Sequence, residues 1–439
     1  MAVEILEKIE QEEAYSNLLL RQVIDDHDLI VEDRNLLTEL VYGVLQRKYT
    51  LDYQLEPFIK KQKKMKNWVR QLLRVSLYQM EYLERIPAHA IVNEAVNIAR
   101  FRGHKGIAGL VNAVLRNIQR KGVRKAEEIK NKIDRFSIQY SVPSWLVEEF
   151  IADLGEKEAE QLLASFSDRP KLSLRVNTKE ISREEAIESL KGAGYESIKS
   201  KISPYGIIVL NGIPADTSLF KKGLVSVQDE SSMLVAPAMN ISAGDYVLDA
   251  CAAPGGKTMH IASAFLSTEA GGKVSALDIY DHKIRLIKQN AHRQGLQDRV
   301  FTQKMDAREV SKKFGKEIFD RVLVDAPCSG LGLIRRRPEI RYNKSKQDIE
   351  QLHKLQLEIL NDASQTLKSD GELIYSTCTL TKSENQEVVK NFLTDNPDYQ
   401  QLPVDLPENE LTLEADGSLV IYPHQYGTDG FYIARFKKS

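Results

Sequence analysis

The sequence is short of cysteine, with three in 439 residues, and of histidine, with eight. The thiols are far apart along the chain, which gives neither a disulfide framework nor the paired spacing of a zinc site. The histidines are scattered and form no ligand cluster, so no metal is expected. Long apolar runs are missing as well; none approaches the roughly 20 residues that a membrane span requires. The opening stretch, MAVEILEKIEQEEAYSN, is acidic and helix-like. It has neither the basic start nor the apolar centre of a secretion signal, so a cytoplasmic protein with no membrane contact is expected. An excess of one charge is absent too, the formal net charge being -1.

That balance hides local runs. Residues 57–76 carry seven Lys or Arg and no acid, 98–125 carry eight and no acid, and RRRPEIRYNK (335–344) has five against one Glu. The compensating acids lie elsewhere, as in VDLPENELTLEADG (404–417). One such run alone reads as a solvated helix face; three together favour a partner rich in phosphate. The last run follows a strand of the expected catalytic sheet, which suggests a grip on a nucleic-acid backbone there.

The chain reads as multidomain. Residues 1–130 are all-helical, with apolar positions at three- and four-residue spacing in DRNLLTELVYGVLQR, VRQLLRVSLYQMEYL and IVNEAVNIARF, which implies a helical bundle. Residues 136–235 form a small α/β module. PSWLVEEFIADLG is a helix between Pro143 and Gly155, KLSLRVNT alternates like a strand, and SREEAIESLKGAG has Ser182 and Glu185 in capping-box spacing. From 236 to 439, strand and helix patterns alternate. DYVLDA, GKVSALDI, DRVLVDAP and GELIYSTC are strand-length apolar runs, with an Asp370-Gly371 turn opening the last. The pattern predicts an α/β Rossmann-like, doubly wound, mostly parallel sheet.

Such sheets bind ligands at the carboxyl ends of their strands. After the first strand comes LDACAAPGGKT (248–258), where Gly255 and Gly256 allow a tight turn into a helix N-terminus. It is neither GxGxxG nor GxxxxGK[ST]. The second strand ends at Asp278, 22 residues past Gly256, where an acid suits ribose hydroxyls. Asp306, at the end of the next strand, is placed to meet an adenine amino group. The loop and two strand-end acids together argue for an adenosine-containing cofactor. The fourth strand ends in DAPCSGLG, with Asp325 and Cys328, and the fifth in STC, with Cys378. Cys251 reads as a small buried residue. Two further thiols at adjacent strand tips read as nucleophile chemistry, for which an electron-poor pyrimidine carbon 6 is a target.

DACAAPGGKT, DAPCSGLG and YSTCTL, in this order, resemble the RNA (cytosine-5)-methyltransferases of the Sun/RsmB type. NEAVNIARFRGHKGIAGLVNAVLRNI is similar to the NusB-type RNA-binding bundle, VSVQDESSMLVA (225–236) to the entry into the family's catalytic domain, and YPHQYGTDGFYIARFKK to its C-terminal signature. No named position departs from the family pattern. The resemblance implies S-adenosylmethionine as methyl donor. Cys251, Ala252, Ala253, Pro254, Gly255, Gly256 and Lys257 would hold its methionine end, with Asp278 at the ribose, Asp306 at the adenine and Asp325 also beside it. It implies Cys378 as the thiol that adds to cytosine carbon 6, Asp325 at ring N3, and Cys328 assisting loss of the carbon-5 proton and release. A DNA-type enzyme would attack with the Pro-Cys thiol, Cys328; possession of both thiols favours the RNA class. The implied partner is 16S ribosomal RNA, at cytosine 967 in standard rRNA numbering, not DNA, and the expected state is a monomer. A different RNA target or a non-catalytic assembly factor are the alternatives, and a nicotinamide dehydrogenase would want the missing GxGxxG.

Overall fold

The computed structural model describes residues 1–12, 14–59, 65–265, 271–407 and 411–439. Lys60, Lys61, Lys63 and Lys64 of the first basic run, and residues 408–410 of the acidic stretch, lie outside the described residues. The chain forms two compact units, Met1–Asp168 with Ile334–Lys344, and Arg169–Leu333 with Ser345–Ser439.

In the first unit the described residues form helices, 3-10 turns and loops, with no strand. The helices Val31–Gln46, Asn67–Tyr82, Ala88–Arg102 and Lys105–Lys121 bury Val41, Val44, Leu73, Leu77, Val92, Val111 and Leu115 in one core. Not every basic residue of the runs faces outward. Arg74 is buried, with Nε and Nη2 donating to Asp52 at 2.8 and 2.6 Å and Glu10 at 3.3 Å. By contrast Arg100, Lys105, Arg116, Arg120 and Lys121 of the second run are exposed.

The third run corrects an expectation. None of its five basic residues is exposed, and Ile334–Lys344 belongs to the helical unit. Arg341 is buried and donates to the carbonyls of Tyr140 and Ser141 at 3.1 and 3.4 Å. Glu339 accepts from the Ser16 amide at 3.0 Å and its hydroxyl at 2.8 Å, and the Tyr342 hydroxyl reaches Leu45 O at 2.8 Å. A guanidinium spent on buried carbonyls cannot also grip an RNA backbone, so the run is a structural insert.

The second unit has two sheets. Strands β1 (Leu172–Val176), β2 (Ser197–Lys199), β3 (Gly206–Val209) and β4 (Val225–Val227) pair antiparallel in the order β2-β3-β1-β4. The helix Arg183–Gly192 packs there and starts in the expected capping box, with the Glu185 amide donating to Ser182 Oγ at 3.2 Å and the Ser182 amide to Glu185 Oε2 at 2.9 Å.

The larger sheet comprises β5 (Tyr246–Asp249), β6 (Lys273–Asp278), β7 (Val300–Lys304), β8 (Phe319–Asp325), β9 (Leu367–Thr377), β10 (Tyr399–Leu402), β11 (Leu419–Ile421) and β12 (Phe431–Lys438). Its order is β10-β12-β9-β8-β5-β6-β7, with β11 on β12. The contacts β9-β8, β8-β5, β5-β6 and β6-β7 are parallel, and β12 runs antiparallel to β9, β10 and β11. The central strands are apolar on both faces, as burial between helix layers requires: Val247 and Leu248, Ala276 and Leu277, Val322 to Val324, and Leu373 to Tyr375 are buried. Asp370 and Gly371 do not open β9. They lie within it, Asp370 at φ 62°, where the register with β8 shifts between Phe319 and Arg321; the turn residues make a bulge.

The tip of β9 is held by glycine packing. The Gly332 amide donates to Cys378 O at 2.9 Å, and the Gly430 amide to Gly332 O at 2.9 Å. A Cβ on Gly332 would fall 2.1 Å from Gly430 O and 2.8 Å from Cys378 O, so backbone must move for any larger residue. Gly332→Ala should therefore lower the urea unfolding midpoint, with a loss of about 1–3 kcal/mol. Gly109→Ala, on the exposed face of Lys105–Lys121 where a Cβ meets nothing within 4 Å, should instead gain up to about 1 kcal/mol. Equal effects of the two substitutions would refute the packing argument.

Candidate active site

Strand β5 lies between β6 and β8, so the chain leaves its carboxyl end toward one side of the sheet and returns to build the other. Loops diverge at such a switch point and open a crevice. A cavity of about 270 Å³ sits there. Ala252, Ala253, Pro254, Gly256, Lys257, Asp325 and Cys378, all expected from sequence, line it. Cys251, Gly255, Asp278, Asp306 and Cys328 are not part of that lining.

The loop after β5 turns back through Ala252, whose amide donates to Leu277 O at 2.7 Å and whose carbonyl accepts from the Gly255 amide at 2.7 Å. Gly255 has φ 103°, a left-handed conformation that glycine adopts without Cβ strain. The helix Gly256–Ser263 follows, with Lys257 in its first turn aimed at Asp325: Nζ to Oδ2 is 2.7 Å. Burial disfavours the Lys257 ammonium, but the Asp325 carboxylate outweighs it and raises the lysine pKa. Asp325 Oδ1 accepts from Ser376 Oγ at 2.8 Å, so the same carboxylate links the β5 loop, β8 and β9.

The two thiols meet. Cys328 Sγ and Cys378 Sγ are 3.3 Å apart, at the ends of the paired strands β8 and β9. The contact with Cys378 and burial push the Cys328 thiol well above its usual range. Cys251 is partly buried; burial, with the negative charges of Asp249, Asp325 and Asp278, pushes its thiol up as well.

The other expected acids end their strands. Asp278 Oδ1 accepts from the Tyr280 amide at 3.0 Å, and Lys283 Nζ stands 3.7 Å from Oδ2. Asp306 caps the 3-10 turn Ala307–Glu309 and pairs with Arg308 Nη2 at 2.7 Å, which lowers its pKa.

Several lining residues escaped the sequence reading. Asp249 ends β5 and is fully buried; Thr258 Oγ1 donates to its Oδ2 at 2.7 Å. Its Oδ1 makes no well-formed hydrogen bond among the described residues. Burial lifts its pKa to about 7, Thr258 and the Cys251 amide pulling down and Asp325 pushing up. The rule that selected acids at strand ends applied equally to Asp249. Gln228 and Asp229 come from the segment preceding β5. Gln228 Oε1 accepts from buried Arg175 Nε at 2.8 Å, and burial lowers the Arg175 pKa to about 9. Asp229 Oδ1 accepts from Ser231 Oγ at 2.7 Å and from the Asp429 amide at 3.3 Å, joining the loop before β12 to the rim. Phe431, also lining, sits 5.0 Å from Lys257 Nζ. Among the described residues no three His, Cys, Asp or Glu side chains are gathered as for a metal ion, and no helix is long and apolar enough to cross a membrane.

Comparison with known proteins agrees with this arrangement. Residues 236–437 match the model of the 16S rRNA methyltransferase RsmB/F family, residues 1–120 the NusB family, and residues 142–216 the ferredoxin-like domain of RsmF/B-like methyltransferases. A probable ribosomal RNA small subunit methyltransferase B of Bacillus subtilis (strain 168) is 47% identical over 442 residues, spanning 100% of this chain and 98% of the relative. The ribosomal RNA small subunit methyltransferase B of Escherichia coli O127:H6 is 33% identical, spanning 100% and 98%. The crystal structure of PH0851 superposes with a TM-score of 0.84 at 27% identity, covering 99% of this chain and 97% of that one. With family matches over the helical region, the small antiparallel module and the larger sheet, and a relative 47% identical over the whole of this chain, the chain belongs to the RsmB/F family of S-adenosylmethionine-dependent 16S ribosomal RNA methyltransferases.

Proposed function

We propose that this chain forms 5-methylcytosine in 16S ribosomal RNA, at cytosine 967 in standard rRNA numbering, through a covalent bond between Cys378 and carbon 6 of the base. The observation that carries the reading is the pair of thiols 3.3 Å apart beside Asp325 and the cofactor cavity. A monomer acting in the cytoplasm on RNA completes the proposal.

The residues fit the methionine end of S-adenosylmethionine. Asp249 Oδ1 is a buried acceptor without a well-formed hydrogen bond, suited to an ammonium group. A Cβ on Gly256 would stand in ordinary contact with Gln228 at 3.7 Å and fill the room that glycine leaves at the helix start. The loop Cys251–Lys257 would hold that end, Asp278 the ribose and Asp306, shared with Arg308, the adenine. When bound, the cofactor supplies an electrophilic methyl group on a sulfonium.

The base would leave its stack, at a cost of a few kcal/mol that RNA contacts offset. The exposed cations Arg100, Lys105, Arg116, Arg120 and Lys121 are suited to those contacts. Cys378 Sγ adds as thiolate to carbon 6, and the electron pair of the 5,6 bond moves toward carbon 5, which becomes nucleophilic. The proton that Cys378 gives up is balanced by the one that ring N3 takes, and Asp325, held by Lys257 and Ser376, accepts from that N3–H and so favours the addition. After methyl transfer Cys328, as thiolate, takes the carbon-5 proton, the released pair re-forms the 5,6 double bond, and the sulfur–carbon 6 bond breaks with its pair returning to Cys378. Cys328 suits this later step. Contact with Cys378, then burial, pushes its thiol up in the resting site, and the first of these causes is removed when Cys378 Sγ is bonded to carbon.

Incubated with S-adenosylmethionine and unmodified 16S RNA, Cys328→Ala should accumulate a protein–RNA adduct on a denaturing gel, and Cys378→Ala and the double variant should show none. An adduct confined to Cys378→Ala would reverse the two roles, and no adduct with no methylation by the wild type would sink the reading.

Asp249 predicts a pH dependence of cofactor binding. Its carboxylate is the form that pairs with an ammonium, and with a pKa of about 7 that form is lost as pH falls. Affinity for S-adenosylmethionine, measured by calorimetry, should drop between about pH 8 and about pH 6, approaching tenfold per unit at the acid end. Asp249→Asn should bind weakly with a flat profile; an unchanged slope would remove Asp249 from the site.

A further inference from the structure

Glu384 is fully buried, and its hydrogen-bond donors come from both thiol-bearing loops. Oε1 accepts from the Ser329 amide at 2.7 Å and from Gln356 Nε2 at 3.1 Å. Within reach of Oε2 lie Ser329 Oγ at 2.6 Å, Thr381 Oγ1 at 3.0 Å and Thr379 Oγ1 at 3.1 Å. Ser329 directly follows Cys328, and Thr379 directly follows Cys378. The hydroxyls of Ser329 and Thr379 also touch, at 2.7 Å. Gln356 Nε2 donates to Pro327 O at 3.0 Å as well, so residues on both sides of Cys328 are tied to this carboxylate and its amide neighbour. All these donors are neutral. A carboxylate buried among neutral donors stays favourable only while its lone pairs are filled, and here they are.

The two loops do not depend on Glu384 equally. Cys378 has anchors of its own. Thr377, directly before it, is paired with Tyr432 in the sheet. Thr377 Oγ1 donates to Asn385 Oδ1 at 2.5 Å, and Asn385 Nδ2 to Thr379 O at 3.3 Å. The Cys328 loop has already left β8, and Ser329 meets Glu384 through both its amide and its hydroxyl. Loss of the carboxylate therefore frees the Cys328 side first.

We propose that Glu384 is a positioning residue that sets Cys328 against Cys378 and thereby governs release of the covalent adduct. The inference rests on the two-thiol reading above and adds to it a residue that touches neither base nor cofactor. Glu384→Gln keeps the side chain's shape, and the surrounding hydroxyls can rotate to accept from its amide. Glu384→Ala leaves the donors unfilled and the loop untied.

The test uses full-length protein with S-adenosylmethionine and unmodified 16S RNA, reading steady-state turnover, single-turnover methyl transfer, trapped adduct and thermal midpoint for each variant. Glu384→Ala should lose roughly tenfold to a hundredfold in turnover, as for misplaced reacting groups. It should accumulate adduct as Cys328→Ala does, while single-turnover transfer falls much less. Glu384→Gln should restore turnover to within a few-fold of wild type. Ser329→Ala, which removes one hydroxyl and keeps the amide bond to Glu384, should shift turnover and adduct the same way but less. Should Glu384→Ala not fold, Ser329→Ala decides: a rise in adduct supports the proposal, and none overturns it. Transfer and release falling together without adduct in a folded Glu384→Ala, or adduct in Glu384→Gln equal to that in Ala, would overturn it too. Failure here with Cys328→Ala still trapping RNA would leave the two-thiol reading standing; failure of both would end with that reading.

Discussion

Lys257 and Asp325 meet at 2.7 Å with the lysine side chain 14% exposed, and the layout of the site depends on that contact. The lysine stands in the first turn after the β5 loop and the aspartate ends β8, so the pair fixes that loop against the tip of β8. A largely buried ammonium without its carboxylate, or the reverse, is strongly unfavourable, and removing one partner of such a pair typically costs about 3–5 kcal/mol. Ser376 Oγ holds the second Asp325 oxygen, so the carboxylate cannot swing to follow the lysine alone. Three chain segments distant in sequence are thereby located relative to one planar group.

Strand direction explains why so much chemistry collects at one rim. The parallel strands β5, β6, β8 and β9 all end on the same side, which brings Asp249, Asp278, Asp325 and Cys378 to it. The strand β12 runs the other way, with Tyr432 opposite Thr377, so its beginning lies at that rim. Asp429, Gly430 and Phe431 therefore reach the site from the far end of the chain. Gly430 closes on Gly332, which in turn holds the Cys378 carbonyl.

What was legible in the sequence was local. Apolar runs of strand length, the Ser182–Glu185 capping box and the punctuation by Pro143 and Gly155 depend on neighbours a few residues apart, and each sits where it was expected. The strand pattern put Asp325 at the end of β8 and Cys328 and Cys378 just past adjacent strand tips, and the structure has them there. What was hidden depends on long-range burial. Arg74 and Arg341 look like any surface cation in a basic run, and only the fold supplies the carboxylates of Asp52 and Glu10 or the carbonyls of Tyr140 and Ser141. The short strands β10 and β11 lack enough residues to show alternation. Asp370-Gly371 has turn chemistry, yet pairing with β8 on either side turns it into a bulge. Glu384 is one acid in a polar stretch until the fold brings Ser329 to it.

Two buried acids at this rim show how satisfaction of hydrogen bonds separates structure from binding. Glu384 and Asp249 are equally withdrawn from solvent. Five neutral donor atoms surround Glu384, enough for both oxygens, so it has no further capacity for a ligand. Asp249 has the Thr258 hydroxyl on one oxygen and, among the described residues, no well-formed bond on the other, and burial moves it to where a proton is held near neutrality. An unfilled buried acceptor costs about 1–3 kcal/mol in the empty protein. That unfavourable term disappears when a donor arrives, so it adds to the affinity of whatever supplies one. The same carboxyl group thus serves as a rivet where the chain brings all its donors, and is suited to a ligand where a donor is left to come from outside.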